Sequence, residues 1–182
     1  MKVQLKMMLV TATAIALGFS SCKKDKDLPE VDENELITTV SLRFTNKANA
    51  ADVKTFTFKD IDGPSGASPI IDEIVLSPNA SYDMEVASVL NEAETPAEDI
   101  REEIEEESDE HLFVYKPVGN LTINATDKDV NNLPIGLKAS ATTGAAGTGT
   151  LRMILRHQPD SKDGSETPGS SDLDISFNLK IQ

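Results

Sequence analysis

From Leu36 the hydrophobic positions recur every second residue. In ITTVSLRFT, Val40, Leu42 and Phe44 share one face while Ser41 and Arg43 take the other. VKTFTFKD repeats the pattern with Phe56 and Phe58, and the polar linker NKANAAD between the two runs suits a hairpin connection. SPIIDEIVLSPNASYDMEVASVLN predicts two further strands broken at Pro78 and Asn79, with Tyr82, Met84, Val86, Ser88 and Leu90 on one face of the second. HLFVYKP, NLTINATD, IGLKASATT and TLRMILRHQ continue the series, and the glycines of GAAGTG are read as a turn between the last two. The final strand is the clearest. Leu173, Ile175, Phe177, Leu179 and Ile181 alternate strictly with Asp174, Ser176, Asn178 and Lys180. One wet face and one apolar face per strand predict an all-β domain, an antiparallel β-sandwich of about eight or nine strands. A closed barrel fits the same alternation. A membrane barrel does not, because the second faces carry Lys, Arg and Asp that would have to meet lipid or a lumen.

One stretch breaks the rhythm. AEDIREEIEEESDEH, residues 97–111, holds nine carboxylates in fifteen residues, offset only by Arg101. Thr95, Pro96 and Glu98 have the order of a helix start with a capping box. Ile100 and Ile104 are four apart and fall on one helical face. An isolated helix this short and self-repelling is marginal, so the isoleucines must dock it on the sheet. The prediction is one acidic helix inserted between strands near 96 and 110, with Glu107 and His111 following the buried stripe.

The N-terminus belongs to export rather than to the fold. Lys2 and Lys6 precede the apolar run MMLVTATAIALGF, which is shorter than the ~20 residues a spanning helix needs. FSSC ends the segment and resembles a lipobox, making residues 1–21 a lipoprotein signal peptide and Cys22 the lipidated first residue of the mature chain. Two acyl chains there would suffice for stable anchoring. No second cysteine exists to pair with Cys22, so disulfides, Cys-rich metal sites and thiol nucleophiles are excluded. The charged segment after it, KKDKDLPEVDENE, reads as a flexible tether, giving an anchor and tether over 22–35 and a β-sandwich domain over 36–182. Removing the signal leaves 15 basic residues against 31 acidic ones, a formal charge of −16. A surface this acidic disfavours nucleic acid and attracts cations or a basic partner. It also keeps a secreted domain soluble.

Candidate chemistry is sparse. His111 and His157 are the only histidines, and 46 residues separate them. As a strand, LRMILRHQPD puts His157 at the end of the face shared by Leu151, Met153 and Leu155. Both histidines are thus predicted at element ends and on inward faces, where they could meet. With Glu107 or Asp160 they would offer two imidazoles and a carboxylate, which suit zinc or copper. The alternative is two hydrogen-bonded edge residues. DIDGPSG, with Asp60 and Asp62, begins like a calcium loop but lacks its later ligands. TDKDVNN, with Asp127 and Asp129, is weaker still. No HExxH, GxSxG or phosphate-binding glycine spacing is present, so no catalytic residue is assigned. PDSKDGSETPGSSD, residues 159–172, is predicted to be a long polar loop.

CKKDKD, ELITTVSLRF, FTFKDIDGP, IVLSPNASYDMEV, the acidic helix ending in DEH, TTGAAGTGTL and HQPD together resemble a family of small Bacteroidota lipoproteins. The resemblance implies outer-membrane anchoring, on the periplasmic side or at the cell surface, and no particular activity. Members often carry the label "type 1 periplasmic binding fold superfamily protein", which would need two α/β lobes. A train of alternating strands with one helix argues against that architecture. Two functional readings follow. The first is a non-enzymatic accessory or binding lipoprotein, docking an envelope protein with a basic surface. The alternative is a zinc or copper module built on His111 and His157, with a metal-dependent hydrolase as its less favoured extension.

Overall fold

The computed structural model describes residues 35–63 and 66–182. The signal peptide, Cys22 and all of the tether except Glu35 lie outside the described residues. Eleven strands in two sheets and one short helix make up the described part. The strands are β1 (Thr39–Asn46), β2 (Val53–Lys59), β3 (Ile70–Ile71), β4 (Ile74–Leu76), β5 (Ser81–Asn91), β6 (Glu98–Asp99), β7 (His111–Val118), β8 (Leu121–Ala125), β9 (Lys138–Thr143), β10 (Gly147–His157) and β11 (Ser170–Ile181). Helix α1 (Ile100–Glu106) lies between β6 and β7.

The larger sheet runs β3-β2-β1-β5-β9-β8, with β6 added to β5, and the smaller runs β4-β11-β10-β7. Alternation decides the inner faces. Val40, Leu42, Phe44 and Met84 of the larger sheet and Leu151, Met153, Leu155 and Phe177 of the smaller belong to one buried cluster. Each such side chain contributes about 1.5–3 kcal/mol when fully buried, so this shared interior is what holds the two sheets in a sandwich-like arrangement. Ile100 and Ile104 join the same cluster and are 1% and 0% exposed. The isoleucine stripe does dock the helix.

Several expectations are corrected. The predicted eight or nine strands become eleven because β3 and β6 are two-residue pairings that periodicity cannot register. The sheets are not wholly antiparallel: β4 runs parallel to β11, pairing Ile74 with Leu179. In β5 the face changes partway. Ser41 pairs with Ser88 but Leu42 with Val86, leaving Ala87 as an extra, bulged residue. Val89, not Leu90, is therefore buried beyond the bulge. The glycines of GAAGTG are not all turn: Gly147 and Gly149 are strand residues, and a Cβ on Gly149 would lie 1.9 Å from the Val118 oxygen of the neighbouring strand. Two sheets and one short helix leave no two-lobed α/β architecture among the described residues.

The helix also starts later than its capping box suggests. Glu98 and Asp99 are drawn into pairing with Asn91 and Leu90, and Asp99 becomes the cap, its carboxylate accepting from the Arg101 amide at 3.1 Å. Arg101 turns inward to donate from Nε to the Val86 oxygen at 2.8 Å and reaches Glu105 at 2.9 Å. Helix α1 ends at Glu106, and the turn through Glu110 delivers the chain to β7. His111 therefore opens a strand rather than closing a helix.

Candidate metal centre

The register of the smaller sheet brings the two histidines together. His111 is the first residue of β7 and His157 the last of β10, and they stand directly opposite each other in that antiparallel pair. The same face continues with Phe113 opposite Leu155 and Tyr115 opposite Met153. The imidazoles stack with centroids 4.7 Å apart and planes within 4°. His157 thus lies on the inner face expected from its spacing to Leu155.

Local devices fix the carboxylates around this pair. Leu155 and Arg156 are consecutive on β10, yet their partners on β11 are Leu173 and Ser171. Asp172 is the surplus residue of a second bulge. Unbroken alternation would have put it outward with Asp174; the bulge re-aims it toward the histidines. His111, His157 and Asp172 each place a ligand atom within 4.8 Å of the others. Gly169, just before β11, makes the close approach possible. It has φ 74°, and a Cβ there would meet the His157 oxygen at 1.9 Å. Arg156 donates to Ser171 and, at 2.7 Å, to the Pro168 oxygen, tying the start of β11 to the end of β10.

A second group consists of Glu107, Glu110 and His157, again within 4.8 Å of one another. Glu110 Oε2 is 3.6 Å from His157 Nε2. Both glutamates ride on the turn after α1, which is fastened from outside. The Gln158 amide donates to the Glu110 oxygen at 2.7 Å, and Lys162 Nζ donates to the Ser108 oxygen at 2.7 Å. Lys162 also pairs with Asp129 at 2.8 Å, the two side chains being 2% and 0% exposed. The long polar loop is therefore pinned at its start by a buried ion pair.

The electrostatics favour a neutral imidazole surrounded by carboxylates. Burial pushes His111 down to about 4, with the His157 and Lys162 charges adding to that effect and the Glu107 carbonyl opposing it. A carbonyl only accepts, so His111 Nδ1 carries the proton and donates to the Glu107 oxygen at 3.1 Å. That leaves the lone pair on Nε2, the arrangement found in metal-ligating histidines whose other nitrogen is held by a backbone carbonyl. Partial burial raises the carboxyl of Glu103, as do Glu107, Glu98 and Glu106, while His157 lowers it. Glu35 is raised likewise, first by partial burial and then by Glu103, Glu98 and Asp172, against His157.

Two imidazole nitrogens and one carboxylate oxygen suit zinc(II) or copper(II) better than soft copper(I), which prefers sulfur. In a tetrahedral zinc site, donors about 2.0–2.1 Å from the ion lie about 3.4 Å apart. The ring planes are parallel within 4°, whereas two imidazoles on one tetrahedral ion have to aim their nitrogens at a common point. Binding therefore requires one ring to turn. His111 is held by its Nδ1 bond and is 2% exposed, and the His157 side chain, 21% exposed, is the less enclosed of the two rings.

Of the four residues proposed from sequence, the structure brings His111 to His157 in one group and Glu107 to His157 in another. It leaves out Asp160, which sits exposed in the turn after β10 with φ 54°. Asp172 and Glu110 are the carboxylates that spacing did not single out. Glu110 precedes His111 in the chain but was submerged in the acidic block, and Asp172 depends on a bulge with no sequence signature. The other acidic motifs are structural. Asp62 accepts from the Ala67 amide, Asp127 from those of Gly136 and Lys138, and Asp129 from those of Asn131 and Leu133. No family model, curated protein or solved structure matches this chain.

Proposed function

We propose that the domain is a divalent metal-binding module, taking zinc(II) or copper(II) on His111, His157 and Asp172, and that it is displayed at the outer membrane by lipid on Cys22. The observation that carries the metal reading is that three independent devices act on one group of residues, His111, His157 and Asp172. The devices are the register that pairs the histidines, the bulge that redirects Asp172, and the carbonyl that fixes the His111 tautomer. Two edge histidines that merely satisfied hydrogen bonds would require none of the three together. The function is binding, with no catalytic residue assigned. The anchor rests on the lipobox-like FSSC and on Cys22 being the single cysteine of the sequence.

Small organic ligands are less well served. A cleft of about 260 Å³ is lined by Phe113, Tyr115, Ile123 and Pro134, with Glu166 at its rim. The Tyr115 hydroxyl donates to the Gly136 oxygen at 2.6 Å and Glu166 pairs with Lys116 at 2.7 Å, so the polar groups there are already engaged. A second reading keeps one supporting observation: Glu102, Glu105 and Glu106 lie exposed on α1 and could dock a basic envelope protein.

Calorimetric titration of the purified mature chain with zinc(II) and with copper(II) tests the metal reading. The expected result is one ion per chain with a dissociation constant of micromolar or below. Affinity should fall at least tenfold in His111→Ala and in Asp172→Asn, with Asp160→Asn unchanged. Absence of binding in the wild type, or equal binding in His111→Ala, would overturn it.

A further inference from the structure

Taking the metal reading as its basis, we infer that ions reach the His111–His157–Asp172 site through an outer station formed by Glu107 and Glu110, with His157 the ligand shared by both. The two groups differ in depth. Glu107 is exposed and Glu110 half-exposed, the His157 side chain is 21% exposed, and His111 is 2% exposed. An ion arriving from water meets the glutamates first and His111 last. The outer set is more than an acidic patch, because it contains one of the inner site's own ligands.

The chemistry of His157 decides between a relay and two ions side by side. A neutral imidazole has one nitrogen lone pair, so a given ring orientation serves one ion position at a time. The same ring must turn out of its parallel stack before the inner set can converge on an ion. Turning toward Glu110, 3.6 Å away, presents His157 to the outer carboxylates; turning back presents it to His111 and Asp172. The transfer is a ligand exchange at an unchanged oxidation state: Glu107 and Glu110 oxygens leave as His111 Nε2 and an Asp172 oxygen bind. No proton moves on His111, whose Nδ1 keeps its proton and goes on donating to the Glu107 carbonyl throughout.

Such a station alters rates more than equilibria. It stabilises the path in both directions, so its loss slows association and dissociation together. The test is stopped-flow zinc(II) uptake by the mature chain at low salt, with release measured against a chromophoric chelator. Glu107→Gln/Glu110→Gln should slow uptake and release about tenfold each and shift the dissociation constant less than threefold. Asp172→Asn should instead speed release with uptake little changed. Glu102→Gln/Glu106→Gln removes the same charge elsewhere on the acidic segment and controls for general steering; it should slow uptake less than threefold. Unchanged uptake in Glu107→Gln/Glu110→Gln overturns the relay. So does a dissociation constant weakened in proportion, which would make the glutamates final ligands. An equal effect of Glu102→Gln/Glu106→Gln, or two zinc ions bound at once, also overturns it. A wild-type chain that takes up no ion would overturn the metal reading itself, an outcome distinct from all of these.

Discussion

Replacing Lys162 by Met probes the buried ion pair that fastens the candidate site from outside. Lys162 Nζ lies 2.8 Å from Asp129 and donates to the Ser108 oxygen at 2.7 Å, with both charged side chains almost fully removed from solvent. Met fills a similar volume but leaves Asp129 without its cation, and breaking one side of a buried pair typically costs about 3–5 kcal/mol. Two features moderate that figure. Asp129 keeps hydrogen bonds from the Asn131 and Leu133 amides, each at 2.9 Å. The carboxyl can also take up a proton, which from an ordinary value near 3.9 limits the penalty at pH 7 to roughly 4 kcal/mol. We expect a loss of about 3 kcal/mol at pH 7 by urea denaturation. The sign of its pH dependence follows from Asp129. In the wild type, burial raises this carboxyl, but the Lys162 and amide hydrogen bonds and the Lys162 charge override it, so the net shift is downward. That contribution is present above the unfolded value and is lost as pH falls through the folded one. In Lys162→Met the burial effect loses its main opponent, the folded value rises, and the variant gains relative stability as pH drops toward 4. The gap between wild type and variant should therefore narrow by pH 4.5, and Lys162→Met/Asp129→Asn should recover most of it. A loss below about 1 kcal/mol at pH 7, or a gap independent of pH, would refute this account.

Two other predictions concern the opposite ends of the chain's chemistry. His111, held near 4 when folded and near 6.5 when unfolded, contributes stability that is complete above pH 6.5 and lost progressively down to pH 4, about 3 kcal/mol in all. Measured in chelator, the stability difference between wild type and His111→Gln should change by that order over the window; a flat difference from pH 7 to 4.5 would show that His111 is not held neutral. Cys22→Ser should leave the protein outside the detergent phase when cell extracts are partitioned, and recovery of the variant in that phase would dismiss the lipid anchor.

The sandwich-like arrangement was legible because strands covered on one face write their period into the sequence. Leu173 to Ile181 and Val40 to Phe44 were read correctly for that reason. The helix was legible by its isoleucine pair, though not by its cap, because cross-strand pairing took Glu98 and Asp99 from the helix start. What stayed hidden was parity. Each bulge, at Ala87 and at Asp172, shifts the alternation by one residue and sends a side chain to the face a period-two reading denies it. His157 could be placed on an inner face because it ends a strand with clear alternation, and His111 because it follows the isoleucine stripe of the acidic helix. Their meeting required register, which depends on turns and pairing partners distant in sequence. Asp160 was favoured over Asp172 by its nearness to His157 along the chain, yet the loop between β10 and β11 carries Asp160 away and returns Asp172.

The acidic segment divides along the same line. Glu102, Glu105 and Glu106 face water, Glu105 paired with Arg101, and charge of this kind keeps a domain soluble. Glu103, Glu107 and Glu110 are different: Glu107 and Glu110 gather around His157, and the partly buried Glu103 feels the charges of Glu107 and His157. They also follow or end a helix whose last turn has no basic residue, the end at which the helix dipole disfavours anions. Glu103 and Glu35 are pushed toward their protonated forms and His111 toward its deprotonated one, so acids and base alike are driven to neutrality by their surroundings. A dication would reverse the upward shifts of the carboxyls and act in the same direction as burial on His111, favouring its neutral form. It binds a neutral imidazole without first displacing a proton from His111 Nε2, and it turns carboxylate repulsion into attraction. The features least favourable to the metal-free fold are thus the ones a bound ion would make favourable, and binding to the folded state alone would raise its stability in proportion to RT ln(1 + [ion]/Kd).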